Sequence, residues 1–149
     1  MAAARRARLD VRPLASAADW EAAQAIRFEV FVDEQRVPAE EEIDADDATA
    51  RHWLALVDGE PVATARAVEK DFGWKIGRVA VRRPFRCQGV GLGLMEAILT
   101  AAREQGVGEA RLESQTHAIP FYERLGFEAE GPQFLDCGIP HRLMRLSLI

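Results

Sequence analysis

Arg86-Cys87-Gln88-Gly89-Val90-Gly91-Leu92-Gly93 joins an apolar, strand-like stretch, Ile76 to Val81, to a helix-like stretch, Leu92 to Gln105. Glycines at alternate positions ought to weaken a helix start, since each costs roughly 1 kcal/mol against alanine in a helix interior. Glycine also lets backbone approach a ligand closely, and a helix N-terminus offers unpaired N–H groups and partial positive charge. Together these predict a cradle for an anion, above all a phosphate. A P-loop would need Gly-Lys-Ser/Thr after the glycines, and here Gly91 is followed by Leu92 and Gly93. A dinucleotide fingerprint would follow the first strand with G-x-G-x-x-G, whereas this spacing is G-x-G-x-G after a later strand. What remains is R-x-x-G-x-G behind a hydrophobic strand. Arg78, Arg82, Arg83 and Arg86 add a local cationic cluster of the kind a pyrophosphate or 3′-phosphate requires. Solvated surface placement explains Arg78 better, and explains Arg82, Arg83 and Arg86 equally well.

The rest of the chain bounds what such a cradle can serve. A length of 149 residues suits one domain, 1–149, with a short basic stretch, 1–8, as a flexible N-terminal tail lacking the apolar core of a signal peptide. Charged residues make up 29% and the net charge is −5, which argues against nucleic acid as a partner. No apolar run approaches the roughly 20 residues that span a bilayer, so no membrane partner is expected. Cys87 and Cys137 show neither metal-ligand spacing nor a disulfide framework, which points to a reducing cytoplasm and to no metal site.

Leu9 to Leu14 reads as a strand, and Ser16 or Asp19 as the cap of a helix from Asp19 to about Gln35 carrying Trp20, Ala23, Ile26 and Val30 on one face. Val37 to Ala50, with Pro38 and the acids Glu40, Glu41, Glu42, Asp44, Asp46 and Asp47, reads as a loop with room for a helical turn. His52–Val57 and Pro61–Val68 flank Asp58-Gly59-Glu60, a hairpin signal, and Trp74–Val81 is a further strand. After the glycine loop, Leu92, Met95, Ile98/Leu99 and Ala102 form a helical stripe that Gly106 and Gly108 end. Ala110–Ser114 is a short strand, Ile119–Leu125 a short helix, and Phe127–Phe134 and Leu143–Ile149 the last strands. The order β-α-β-β-β-α-β-α-β-β predicts an α/β (α+β) domain, a mixed sheet of about seven strands with helices on both faces.

Two motifs in this order resemble the GNAT superfamily of acyl-CoA-dependent N-acetyltransferases. One is Val79-Ala80-Val81-Arg82-Arg83-Pro84-Phe85-Arg86-Cys87-Gln88-Gly89-Val90-Gly91, and the other is Phe121-Tyr122-Glu123-Arg124-Leu125-Gly126-Phe127. Val30-Phe31-Val32-Asp33-Glu34-Gln35, the acids that follow, His52 and Gly138-Ile139-Pro140-His141 look like the bacterial ElaA-like and YjcF-like branch. The resemblance implies a sheet splayed between strands 4 and 5, where the pantetheine arm of acetyl-CoA inserts. Backbone groups of Val79 and Val81 would pair with that arm. The amides of Arg86, Cys87, Gln88, Gly89, Val90, Gly91, Leu92 and Gly93 would hold the pyrophosphate. Many members carry an Asn before the Tyr helix, where this chain reads Gln115-Thr116-His117-Ala118. The implied activity is direct transfer of acetyl from acetyl-CoA to a primary amine, on a small-molecule or peptide acceptor. The alternative is a non-catalytic acyl-CoA-binding or regulatory module on the same fold. A homodimer is compatible with the family.

Such a transfer needs a neutral amine, a polarised thioester carbonyl and a proton for the leaving thiolate. A lysine-like amine of pKa ~10.4 is neutral in roughly one molecule in a thousand at pH 7, a deficit of about 4 to 5 kcal/mol. A base or water chain offsets it. A backbone N–H at Val79 or Ala80 would stabilise the oxyanion. By resemblance Tyr122 sits beside the sulfur as general acid, a role its phenol suits; a core aromatic at helical spacing is the plain alternative. Glu113 on the fifth strand could relay the amine proton or simply be a surface carboxylate. His52, His117 and His141 titrate in a useful range but are each more simply structural; His141, in a Gly-Ile-Pro-His loop, stands slightly ahead. Glu40–Asp47 could attract a cationic acceptor or be a solvated face. Cys87 lacks a base beside it in sequence and is not expected to be a nucleophile.

Overall fold

The apolar runs become seven strands in one mixed sheet, ordered β1-β2-β3-β4-β5-β7-β6, with helices on both sides. The strands are β1 (Leu9–Pro13), β2 (Arg51–Val57), β3 (Glu60–Lys70), β4 (Gly73–Val81), β5 (Glu109–Gln115), β6 (Glu128–Asp136) and β7 (Ile139–Ser147). The helices are α1 (Ala17–Arg27), α2 (Ala39–Glu42), α3 (Val90–Glu104) and α4 (Ile119–Glu123). The expected mixed α/β class and strand number therefore hold. This computed structural model describes residues 7–149, so most of the expected tail, 1–6, lies outside the described residues. Arg8, at its end, exchanges backbone and carboxylate hydrogen bonds with Asp58 at 2.8 and 2.9 Å. Among the described residues no helix is long and apolar enough to cross a membrane.

The described chain divides into two compact units. One takes the chain up to Ile43 with His52–Ala65 and Arg78–Ala97; the other takes Asp44–Arg51, Arg66–Gly77 and Ile98–Ile149.

In the first unit β1 and β2 pair antiparallel from Leu9↔Val57 to Pro13↔Trp53. Ser16 caps α1 by accepting from the Asp19 N–H at 3.2 Å, and Asp19 sits in the first turn, paired with Arg12. The apolar stripe packs as expected: Ala23, Ile26, Val30, Leu54 and Ala80 form a buried cluster edged by Leu14, Trp20 and Phe31. The expected helix to Gln35 does not stay α-helical. After Arg27 it widens into a π-helix, Phe28–Glu34, with Gln35 N–H donating to the Val30 carbonyl at 3.2 Å. Arg36, at φ 63°, takes the left-handed conformation that stops it. Asp58 and Gly59, at φ 48° and 84°, make the hairpin turn that the sequence signals.

In the second unit β4 and β5 run parallel through Trp74↔Ala110 and Lys75↔Arg111. The far edge of β5 pairs along its whole length with β7, from Glu109↔Ser147 to Gln115↔His141. Gly73 is obligatory at this join: its φ is 143°, and a Cβ there would overlap the Glu109 carbonyl. Cys137 and Gly138, at φ 49° and 76°, form a second two-residue hairpin turn between β6 and β7. That turn corrects the expected loop at Ile139–Arg142. β7 begins at Ile139, and His141 is a strand residue. Pro140 is tolerated because the β5 ladder ends at His141 and so loses no bond to it. Trp74, Ile76, Leu112, Met144, Tyr122 and Phe127 are buried.

Candidate functional site

The glycine loop lies wholly in the first unit, and its shape follows from two turns. Arg83–Phe85 forms a single 3-10 turn after β4, and Cys87 and Gly89 then take φ 61° and 81°. Helix α3 starts at Val90, and its Gly93 N–H donates to the Gly89 carbonyl at 3.0 Å. An α-helix leaves its first N–H groups without helical acceptors, so the amides at the head of α3 are the donors the cradle needs. The glycines serve different ends. A Cβ on Gly89 would meet nothing within 4 Å, so its space is open, whereas a Cβ on Gly93 would lie 2.6 Å from Leu9 Cδ2. Gly89 is therefore explained by backbone conformation and room, whereas a Cβ at Gly93 would displace only the flexible end of the exposed Leu9 side chain.

The arginines are sorted by their partners. Arg86 closes the loop, donating from Nε to the Val81 carbonyl at 2.8 Å and from Nη2 to Glu34 at 2.7 Å. Arg82 donates to Glu29 at 3.0 Å and Glu60 at 3.1 Å. Arg83 is exposed and has no partner among the described residues. Gln88 donates to the Pro84 carbonyl at 3.0 Å, and Cys87 is exposed. Arg78 has φ 50° inside β4, a left-handed residue that kinks the strand just before Val79, Ala80 and Val81. Its guanidinium is held by the Glu42 carbonyl at 3.2 Å and the Glu42 carboxylate at 3.4 Å. Glu42 in turn pairs with Arg27 at 2.8 Å, with both side chains almost wholly buried. The reading of Arg78 as a plain surface residue is thus replaced by an anchoring role. Glu42 is also withdrawn from any acidic lure for a cationic acceptor.

In the second unit Asp44 and Asp47 cap the turn Ala45–Ala48 and hold Arg66 at 2.7 and 2.8 Å. Glu42, Asp44 and Asp47 of the acidic stretch are therefore structural, while Glu40 and Glu41 stay exposed. Tyr122 is buried in α4, edge-on to Phe121 at 5.0 Å and to Phe127 at 6.1 Å. Its hydroxyl has no hydrogen-bond partner among the described residues. No buried side-chain nitrogen or oxygen there goes without one, so the hydroxyl opens to solvent. Burial pushes its pKa up to about 12. The phenol is thus fully protonated at neutral pH and free to donate. Glu113 stands on β5 in an exposed pair with Lys75 at 3.1 Å. His117 is exposed. In the first unit His52 packs edge-on against Trp20 at 4.9 Å. His141 is buried on β7, with Nδ1 2.7 Å from the Ile139 carbonyl. Sequence reading ranked it behind Tyr122 and Glu113 because a lone histidine is more often a hydrogen-bonded structural residue, and its strand was hidden because the Cys137-Gly138 turn carries no standard hairpin signature. Asp136 before Gly138 was the available hint.

Comparison with known proteins supports the same reading. The model of the acetyltransferase (GNAT) domain matches residues 16–148. The chain is 43% identical over 121 residues to the uncharacterized N-acetyltransferase YjcF of Bacillus subtilis, covering 80% of this chain and 86% of that protein. Among solved structures, an acyl-CoA N-acyltransferase from Pseudomonas aeruginosa superposes with TM-score 0.82 and 31% identity, over 94% of this chain and 99% of that one. Escherichia coli ElaA superposes with TM-score 0.81 and 30% identity, again over 94% and 99%.

Proposed function

The chain belongs to the GNAT acetyltransferase family, in the branch of YjcF and ElaA, and from that premise we propose that this acyltransferase moves an acetyl group directly from acetyl-CoA to the primary amine of a small-molecule or peptide acceptor. The observation that carries the reading is the head of α3, where open space over Gly89 meets amides without helical acceptors. There the backbone of Arg86, Cys87, Gln88, Gly89, Val90, Gly91, Leu92 and Gly93 would hold the pyrophosphate. Val79 and Val81 would pair with the pantetheine amides, and an N–H at Val79 or Ala80 would take the oxyanion. The Arg78 kink, fixed by Glu42, aims that segment. Tyr122 would protonate the departing thiolate, since its hydroxyl is neutral, unbonded and open. Glu113 would have to leave Lys75 before it could accept a proton. Two exposed cysteines outside any disulfide suit a reducing cytoplasm.

The test couples calorimetry with acetyl-CoA to a thiol-release assay on a panel of n-butylamine, spermidine, kanamycin and a lysine-containing pentapeptide. Wild-type protein is expected to bind acetyl-CoA and release thiol with a member of the panel. Tyr122→Phe should lower kcat about 100-fold with the acetyl-CoA Kd unchanged. Unchanged kcat removes Tyr122 from the chemistry. Binding without thiol release favours a non-catalytic acyl-CoA module, and absence of binding overturns the reading.

A further inference from the structure

The two ring nitrogens of His141 are held in opposite states. The residue is 9% exposed and lies on β7 between Gln115 of β5 and Phe134 of β6. Its ring stacks on Phe134, with centroids 5.9 Å apart and planes 22° from parallel. Nδ1 lies 2.7 Å from the Ile139 carbonyl oxygen. A carbonyl can only accept, so in the neutral ring Nδ1 carries the hydrogen and Nε2 presents a lone pair. Nε2 has no partner among the described residues, and no buried side-chain nitrogen there is left unbonded, so Nε2 is the open atom of an otherwise covered ring. An imidazole oriented from behind by a fixed acceptor, with its basic nitrogen facing out, has the form of a general base.

Its place on the sheet agrees. His141 faces Gln115, the last residue of β5, and ligands of sheets with parallel strands gather at the carboxyl ends of those strands. From Gln115 the chain turns through Thr116–Ala118, against which β7 packs, into the helix carrying Tyr122. Glu113 is set two residues back from that end and is held by Lys75. The sheet face and packed turn around His141 carry Glu113, Glu130, Asp136 and His117, with Lys75, Glu109, Arg111, Glu128 and Arg145 farther along, and none bonds to the His141 ring.

We propose that His141 Nε2 is the base that takes a proton from the acceptor amine. The inference rests on the transferase reading above. The ammonium of the acceptor gives one proton to Nε2, and the neutral amine attacks the thioester carbonyl carbon. The C–N bond forms, the C–S bond breaks, and the thiolate takes the Tyr122 hydroxyl proton. The resulting phenolate recovers a proton from the newly acylated nitrogen, and the imidazolium returns its proton to solvent. One proton is released for each ammonium consumed.

The test has two arms on the full chain. Long-range 1H–15N correlation on histidine-labelled protein, with the His141 signals identified by their loss in His141→Asn, should show the Nδ1–H tautomer. An Nε2–H tautomer overturns the proposal. In the thiol-release assay on the four-amine panel, His141→Asn and His141→Ala should both lose about 100-fold or more in kcat/KM with acetyl-CoA affinity unchanged. Asn can still donate to the Ile139 carbonyl but offers no base, so activity rescued by Asn and lost in Ala assigns His141 a structural role and overturns the proposal. Wild-type protein that binds acetyl-CoA yet acts on no member of the panel takes down the transferase reading and this step with it. Wild-type turnover matched by both variants takes down the base alone.

Discussion

Tyr122 keeps its proton because an apolar shell penalises the phenolate. It is the only tyrosine in the chain, so the ultraviolet absorbance of tyrosinate reads it alone. Titration should show a midpoint near about 12, where an exposed phenol gives ~10; a midpoint at the ordinary value would mean a solvated ring. The raised value also has a stability consequence. Protection of the neutral phenol is fully present below an unfolded-state pKa of ~10 and is lost as pH rises through about 12. Wild-type melting temperature should therefore fall more steeply than that of Tyr122→Phe across that alkaline window. Arg83 carries a second prediction at this scale. Its neighbours Arg82 and Arg86 are tied to carboxylates, which leaves Arg83 as the cation available to the 3′-phosphate of CoA. Arg83→Ala should weaken CoA roughly tenfold by calorimetry, as expected for one charge-assisted hydrogen bond, and leave 3′-dephospho-CoA unaffected. Equal loss for both ligands would refute that contact. Gly89 and Tyr122 were legible in the sequence because their motifs are local. The partners of Arg78, Arg82 and Arg86 were not, since each is distant in the chain.

Between elements, the buried Arg27–Glu42 pair joins α1 to α2, and through Arg78 it reaches the kink of β4. A left-handed non-glycine residue costs on the order of 1–2 kcal/mol and persists only where its surroundings hold it. Glu42→Gln would leave two arginines short of a countercharge, so it should destabilise the fold by about 3–5 kcal/mol in denaturant unfolding. Replacing Arg27 and Glu42 together by apolar residues should recover part of that loss. A cost below about 1 kcal/mol for the single change would show the pair to be no more than a surface-type interaction. Element identity was readable where the signal is periodic, as in α1 and α3, or rests on a recognised turn, as at Asp58-Gly59. The π-helical continuation of α1 was hidden because Val30 keeps its place on the buried face whichever hydrogen-bond pattern carries it. The early start of β7 was hidden because Pro140 reads as a breaker until the ladder on its β5 side is known to stop one residue later.

For the whole chain, acetyl-CoA should act as a folding ligand. Saturation at 100 times Kd adds about 2.7 kcal/mol, and a chain of this size gains about 2–4 °C per kcal/mol, so melting should rise by roughly 5–10 °C. Gly89→Ala should cost about 1–2 kcal/mol, since φ there is 81° although a Cβ meets nothing, and lose most of that ligand-induced shift. A full shift in the variant would show that the pyrophosphate is held elsewhere. Patterns local in sequence settled the class of sheet, the order of most elements, the glycine turn ahead of α3 and the tyrosine helix, because hydrophobic period and turn chemistry act over a few neighbouring residues. Folding settled the rest: which arginines remain free, which acids are spent inside, and which nitrogen of His141 lies against the Ile139 carbonyl. Those properties depend on partners brought together from distant positions, and a hydrogen bond or ion pair exists only where the fold delivers both of its members.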